Sequence, residues 1–218
     1  MGCNLRDLAS PENIELDSLS GKRVGVDAFL TAFQFLTTIR DRSPQGDGGP
    51  LKAENGKVVS HLMGFLNRTT MLLSKGIKPV FIFDGKAPDL KADEIAARRA
   101  RREESERIHK EALEAGDFAL AQKMAQRIMH YSPEMVQETK QLLDLLGVPW
   151  VEAPSEGEAQ VASLLEQGMV DYGASQDFDT VLFGASKFIR NLTLSGRRKL
   201  PKQQKWVEVS PEIVDLEA

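Results

Sequence analysis

Apolar residues in this chain come in short runs separated by stretches of helical periodicity. Arg23–Val26 ending in Asp27, Pro79–Phe83 ending in Asp84, and Val148–Val151 ahead of Glu152 are continuous enough to predict buried strands. Met169–Ala174 is a weaker fourth run. Within 58–75, Val59, Leu62, Met63, Leu66 and Leu73 recur at helical spacing; within 134–146, Met135, Leu142, Leu143 and Leu146 do the same, with Gly147 where a helix C-cap belongs. Glu158–Gln167 predicts a short helix closed by Gly168. Strands alternating with helices predict an α/β fold, a mostly parallel sheet with helices on both faces.

Two stretches break the alternation. Residues 41–57 are rich in Gly, Pro, Asp and Asn and predict an exposed loop or hairpin. Residues 89–130 are long, charged and helix-favouring, with few apolar positions before Leu113. A helix polar on most faces projects into solvent or meets a polar partner rather than filling a core. Gly116-Asp117 divides this stretch, and Leu120, Met124 and Ile128 form a stripe of their own beyond it. At the C-terminus, Ser210-Pro211-Glu212 predicts the start of a helix, and the chain stops within two turns of it. The expectation is a chain truncated at that end.

Composition narrows the class. No apolar run approaches the ~20 residues of a spanning helix, no secretory leader is visible, and Arg6 stands where a myristoylation signal wants Ser or Thr. The cytoplasm is the expected location. The single cysteine, Cys3, excludes a disulfide within the chain and a cysteine-rich zinc site. A net charge of −4 argues against wholesale nucleic-acid binding, yet it hides basic clusters at Arg98, Arg99, Arg101 and Arg102 and at Arg197, Arg198, Lys199, Lys202 and Lys205. Each cluster taken alone reads first as a solvated surface.

The acids carry more information. Asp27 and Asp84 each terminate a predicted strand, Glu156 and Glu158 sit in the turn after the third, and Asp177 and Asp179 follow the fourth. Ligands of open α/β sheets bind outside the carboxyl ends of the strands, so these acids are expected to converge on one edge. Singly, each has a structural explanation: a turn residue, a helix cap, a partner for a helix dipole. Together they are harder to tolerate, since two carboxylates about 4 Å apart repel by about 4 kcal/mol at an effective dielectric of 20. Oxygen donors without Cys or His select a hard cation such as Mg²⁺ or Mn²⁺, and this many suit a two-ion phosphodiester site. His61, His109 and His130 have no ligand spacing and read as surface or packing residues. Asp177-Phe178-Asp179-Thr180-Val181 also matches a haloacid-dehalogenase-type phosphatase motif. That motif belongs at the end of a domain's first strand, with its catalytic lysine far downstream, and that context is missing.

The segments Val26-Asp27-Ala28, Ser60-His61-Leu62-Met63-Gly64, Gly76–Lys86, Ala153-Pro154-Ser155-Glu156-Gly157-Glu158-Ala159-Gln160 and Leu182-Phe183-Gly184-Ala185 stand in a specific order. With them the whole chain resembles the flap endonuclease family of structure-specific 5′ nucleases (XPG/Rad2-type), and its archaeal members in particular. The resemblance implies a PIN-like 5′ nuclease fold with an N-terminal nuclease region over 1–98, a helical arch over 99–130 whose base reaches back to about 89, and an internal nuclease region over 131–218. It implies two Mg²⁺ ions, replaceable by Mn²⁺, with Asp27, Asp84, Glu156 and Glu158 serving one and Asp177 and Asp179 the other. Lys91 and Arg98, seven residues apart on one helix face, are expected at the scissile phosphate as catalytic donors. Arg40 and Arg68 match DNA contacts, and Phe33 stands where many members stack a tyrosine. Expected partners are DNA with a 5′ flap and, through a C-terminal tail absent from this sequence, the sliding clamp; the location becomes cytoplasmic and nucleoid-associated. Family members continue past residue 218 with a further metal-ligating aspartate and a duplex-gripping helical motif, so this chain by itself is expected to be weak in catalysis. A sister 5′ nuclease acting on bubbles, junctions or 5′ ends, and a non-catalytic DNA-junction binding module, are the alternatives.

Overall fold

The computed structural model describes residues 11–41, 49–176, 179–192, 196–199 and 206–216. Its strands are β1 (Glu12–Asn13), β2 (Arg23–Asp27), β3 (Lys78–Phe83), β4 (Trp150–Glu152), β5 (Tyr172–Ala174), β6 (Lys187–Arg190), β7 (Gly196–Lys199), β8 (Trp206–Val209) and β9 (Glu212–Asp215). Its helices are α1 (Ala28–Thr38), α2 (Ser60–Ser74), α3 (Ala92–Glu114), α4 (Phe118–Ile128), α5 (Pro133–Leu145), α6 (Gly157–Glu166) and α7 (Asp179–Leu182). The chain divides into two compact units, one comprising Met1–Thr31, Asn67–Lys86 and Leu143–Ala218, the other Ala32–Leu66 and Ala87–Leu142.

The first unit is built on a seven-stranded sheet in the order β1-β9-β6-β5-β2-β3-β4. From β6 across to β4 every pairing is parallel; β9 joins β6 antiparallel and carries β1 on its other side. β2 lies between β5 and β3, pairing Val24 with Tyr172 and Asp27 with Ile82. Such central strands are covered on both faces, which is why they read as unbroken apolar runs: Val24, Val26, Phe81, Ile82 and Phe83 are all buried. Ile82 joins Ala153, Val161, Leu164 and Val170 in one core cluster, through which α6 packs on the sheet. A Cβ on Gly173 of β5 would stand 2.6 Å from Val161 Cγ1, so the glycine is what lets α6 approach. This mostly parallel sheet with helices is the expected fold class, and the predicted strands recur as β2 to β5, some ends unchanged and none moved by more than three residues.

The C-terminal expectation is corrected. Glu212–Asp215 forms strand β9, not a helix, pairing Phe188 with Val214 and Arg190 with Glu212. The adjacent β-branched Ile213 and Val214 favour a pleated strand, Val214 is fully buried against Phe188, and Arg190 closes an ion pair to Glu212 at 3.0 Å.

The second unit holds the remaining parts of α1, α2 and α5 together with α3 and α4. Phe35 of α1 meets Phe65 of α2 edge-on, with ring centroids 5.4 Å apart. Gly64 makes that contact possible, since a Cβ there would fall 2.1 Å from Phe35 Cγ. Helix α3 exposes nearly all its side chains and pairs them along its own surface: Glu94 with Arg98, Arg99 with Glu103, and Arg107 with Glu104 and Glu111. It ends where the sequence divides. Gly116 is at φ +72, and the Asp117 amide donates back to Ala112 at 2.9 Å, a Schellman-type stop. Asp117 then caps α4 by accepting from the Leu120 amide at 3.0 Å. The stripe expected on α4 is partly shifted, with Ala121 and Met124 buried while Leu120 stays exposed.

At the start of the sheet, Asp171 accepts from the Arg23 amide at 2.7 Å and from its guanidinium at 2.9 Å, tying β2 to the approach of β5. These hydrogen bonds pull the Asp171 carboxyl down to about 2. A depressed folded value stabilises above the unfolded pKa of about 3.9 and is lost as pH falls through the folded value. The stability advantage of the wild type over Asp171→Asn, measured by urea unfolding, is therefore expected to be constant at neutral pH and to shrink between about pH 4 and pH 2. A gap unchanged down to pH 2 would contradict the assignment.

Candidate functional site

The strand order makes neighbours in the sheet of strands whose following acids are far apart in sequence. β5, β2, β3 and β4 are consecutive neighbours and all parallel, so their carboxyl ends open on one edge. Asp27 is the last residue of β2; it is buried, and its Oδ1 accepts from the Leu30 amide at 2.9 Å, which also starts α1. Asp84 follows β3, and its Oδ1 accepts from the Gly157 amide at 2.6 Å. Glu156 occupies the N-cap of α6 in an extended conformation, but its side chain makes no capping bond and its Oε1 is buried. Glu158 lies in the first turn of the same helix. The structural role available to Glu156, capping, is thus not the one it takes. Asp179 begins α7, and Asp177 lies outside the described residues.

Two glycines that the strand and helix patterns do not single out set these spacings. Gly85 donates its amide to the Ser155 carbonyl at 2.7 Å, and a Cβ there would fall 1.9 Å from the Ala153 carbonyl oxygen. A Cβ on Gly157 would stand 2.8 Å from Asp84 Oδ1. The signal for both was in the sequence, a glycine directly after an acid in each of Asp84-Gly85 and Glu156-Gly157. Together they dock the β3 loop on the β4–α6 turn and bring Asp84 beside the start of α6. Among the described residues no three His, Cys, Asp or Glu side chains close into a metal-binding group. The donor chemistry nevertheless suits a hard divalent cation, being entirely carboxylate.

The other expected site residues fall as follows. Lys91 ends a 3-10 turn over Asp89–Lys91 and is the N-cap of α3, exposed. Arg98, two turns on, is exposed and held by Glu94 at 2.5 Å. That contact holds the Glu94 carboxyl below its ordinary value. Phe33 of α1 is 47% exposed, which leaves a ring face open to a stacking partner. Arg40 donates from Nε to the Thr37 carbonyl at 2.7 Å. Arg68 of α2 is half-buried, and burial draws its guanidinium below its ordinary value. In the second basic cluster, Arg197, Arg198 and Lys199 lie in β7, and Lys202 and Lys205 lie outside the described residues. His61 is fully buried, whereas His130 is exposed.

A parallel sheet with acids following adjoining strands, in a chain that also carries a long helix rich in arginine, defines an acid-edged α/β class. Residues 4–105 match the XPG N-terminal domain and residues 147–218 the XPG I-region. The chain belongs to the XPG family. It is 48% identical over 217 residues to flap endonuclease 1 of Thermococcus onnurineus and 46% identical over 220 residues to that of Aeropyrum pernix; both alignments take in 100% of this chain and 62% of the relative. The chain thus spans about three-fifths of the length of these curated relatives. Among solved structures it is similar to flap endonuclease-1 from Methanococcus jannaschii, at 38% identity and a TM-score of 0.69, covering 99% of this chain and 64% of the other. It is also similar to the catalytic core of Rad2 in complex with DNA substrate, at 31% identity and a TM-score of 0.62, covering 97% and 52%.

Replacing Gly157 by alanine is expected to displace the Asp84 carboxylate and break its bond to the α6 amide. The predicted loss is about 1–3 kcal/mol of unfolding free energy, the usual range for overpacking a tight site. Urea titration checks it; a neutral substitution would show that the contact is slack.

Proposed function

We propose that the protein of which this chain is part is a divalent-metal-dependent, structure-specific 5′ nuclease that removes 5′ flaps from DNA in replication and repair. The observation that carries this reading is the series of acids at the carboxyl ends of β2, β3, β4 and β5, in a chain whose relatives are named flap endonuclease 1. In it, Asp27, Asp84, Glu156 and Glu158 would hold one Mg²⁺ and Asp177 and Asp179 a second. Bound there, such ions supply Lewis-acid activation of water and stabilise charge on the leaving oxygen.

The remaining work falls to the chain's own side chains. Lys91 and Arg98 donate hydrogen bonds to the scissile phosphate and stabilise the charge that grows on it in the transition state. Arg98 must exchange Glu94 for the phosphate, and an exposed pair of this kind is weak and screened by salt, so a phosphodiester offering two non-bridging oxygens displaces it readily. Phe33 offers an aromatic face on which a nucleotide stacks, worth about 1–3 kcal/mol for a base–aromatic contact. Arg40 and Arg68 hold backbone phosphates, and their release of counterions makes binding salt-dependent.

The test compares cleavage of labelled 5′-flap, bubble and blunt duplex DNA by the complete protein, with and without Mg²⁺. Flap cleavage that needs the ion and is abolished by Asp179→Ala is the expected result. A preference for bubbles or junctions would assign a sister activity, and binding without cleavage would make the protein a junction-binding module. Lys91→Ala is expected to lower the single-turnover rate by about 10²-fold or more while changing DNA affinity little. Equal losses in rate and affinity would remove Lys91 from the catalytic role.

A further inference from the structure

The second unit contains a buried polar cluster that the proposed chemistry does not use. His61 on α2 is fully buried, and its Nε2 lies 3.0 Å from Glu138 Oε2 on α5. The other oxygen of Glu138 pairs with Lys57. The Nδ1 of His61 is buried without a hydrogen-bond partner. A protonated imidazole would leave that nitrogen as a buried unmet donor, so the neutral Nε2–H tautomer, donating to Glu138, is the arrangement that costs least. Burial accordingly holds the imidazole below its ordinary value, against the pull of Glu138. Burial alone would raise the Glu138 carboxyl, but the contacts from Lys57 and His61 outweigh it and hold it below the ordinary range. The ring of Tyr131 closes the cluster edge-on, its centroid 6.2 Å from that of His61.

Lys57 belongs to a small hairpin. Lys52 bridges Val58, the Ala53 amide donates to the Lys57 carbonyl at 2.8 Å, and Gly56 turns the chain at φ +81. The hairpin is sewn to the end of α1: Arg40 bridges Pro50, the Asp41 amide donates to the Gly49 carbonyl at 3.0 Å, and Ser60 Oγ donates to the Ile39 carbonyl at 2.8 Å while accepting from the Leu51 amide at 2.7 Å. A continuous set of contacts therefore runs from Glu138, through Lys57 and the hairpin, to the backbone of Arg40.

We propose that Glu138 is a positioning residue for DNA binding: by engaging Lys57 and His61 together it tethers the 49–58 hairpin to α5 and, through the Arg40–Pro50 pairing, sets the direction in which Arg40 meets the DNA backbone. The proposal rests on the reading of Arg40 as a DNA contact. Glu138 touches neither substrate nor metal in this scheme; it acts through the hairpin. The tether is graded in strength, because the His61 end is buried and the Lys57 side chain is 58% exposed, so its removal loosens the hairpin without unfolding the unit.

The experiment measures affinity for a 5′-flap duplex and amide exchange at Leu51, Ala53 and Val59 in Glu138→Gln, Lys57→Met and Lys57→Arg. Lys57→Met is the variant least able to disturb folding. Glu138→Gln and Lys57→Met are expected to weaken binding about two- to fivefold, the scale of one partly exposed ion pair, and to speed exchange at those amides. Lys57→Arg, which restores the charge, is expected to match the wild type. Combining Lys57→Met with Arg40→Ala should weaken binding no further than Arg40→Ala alone, since both act through one contact. Faster exchange with unchanged affinity, full additivity with Arg40→Ala, or an arginine variant as weak as methionine would each overturn the proposal. Arg40→Ala without effect would instead overturn the reading of Arg40, and is distinguishable because a failed tether leaves Arg40→Ala weak and Lys57→Met normal.

Discussion

Parallel strands paired side by side must open their carboxyl ends at the same edge, and in this sheet the strands that do so in succession, β5, β2, β3 and β4, are the ones followed by acids. Everything proposed about the chain's chemistry depends on those acids sharing one edge. Close carboxylates oppose folding unless hydrogen bonds or cations offset them. Backbone amides meet part of the demand: the Leu30 amide serves Asp27 and the Gly157 amide serves Asp84, each from the first turn of a helix where amides are otherwise unmatched. The glycines at 85 and 157 bring the backbone close enough for this, at positions where any side chain would collide with the Ala153 carbonyl or the Asp84 carboxylate.

The long charged helix answers a different constraint. It buries little beyond Ser105 and Ala112, so it cannot rely on a core for stability. Its arginines instead pair with glutamates one turn away, which holds the helix together while leaving the guanidinium groups at the surface. Pairs of this exposed kind exchange partners at little cost. A chain that is acidic as a whole can in this way hold arginines in reserve for a polyanion, engaged by local carboxylates when none is bound.

The central strands were legible because burial on both faces leaves an uninterrupted apolar run, and the acid at the end of each run marked its edge. The division of the charged stretch was legible in Gly116-Asp117, since the turn needs a positive φ and the next helix needs a cap. Helix α1 was not predicted: Ala28–Thr38 is apolar on almost every side and rich in Phe and Thr, so no helical period stands out. β9 is not legible locally, because Ser210-Pro211 has the form of a helix start while the strand character of Ile213 and Val214 is set by a partner, β6, more than twenty residues away. The contact of His61 with Glu138 joins residues 77 apart in sequence, and no local pattern announces such a pairing; His61 was expected only to pack or to lie at the surface. Among the candidate metal ligands, the sequence located the loops, whereas the hydrogen bonds that orient Asp27 and Asp84 became visible only in three dimensions.

The central claim, that these carboxylates form a centre for hard divalent ions, is tested most directly by titrating Mn²⁺ into the protein and following bound metal by its paramagnetic resonance. The account predicts saturable binding that Mg²⁺ competes away and that Asp27→Asn and Asp84→Asn each weaken, without loss of the folded sheet by circular dichroism. Mn²⁺ binding that is absent, or that survives both substitutions together unchanged, would contradict it.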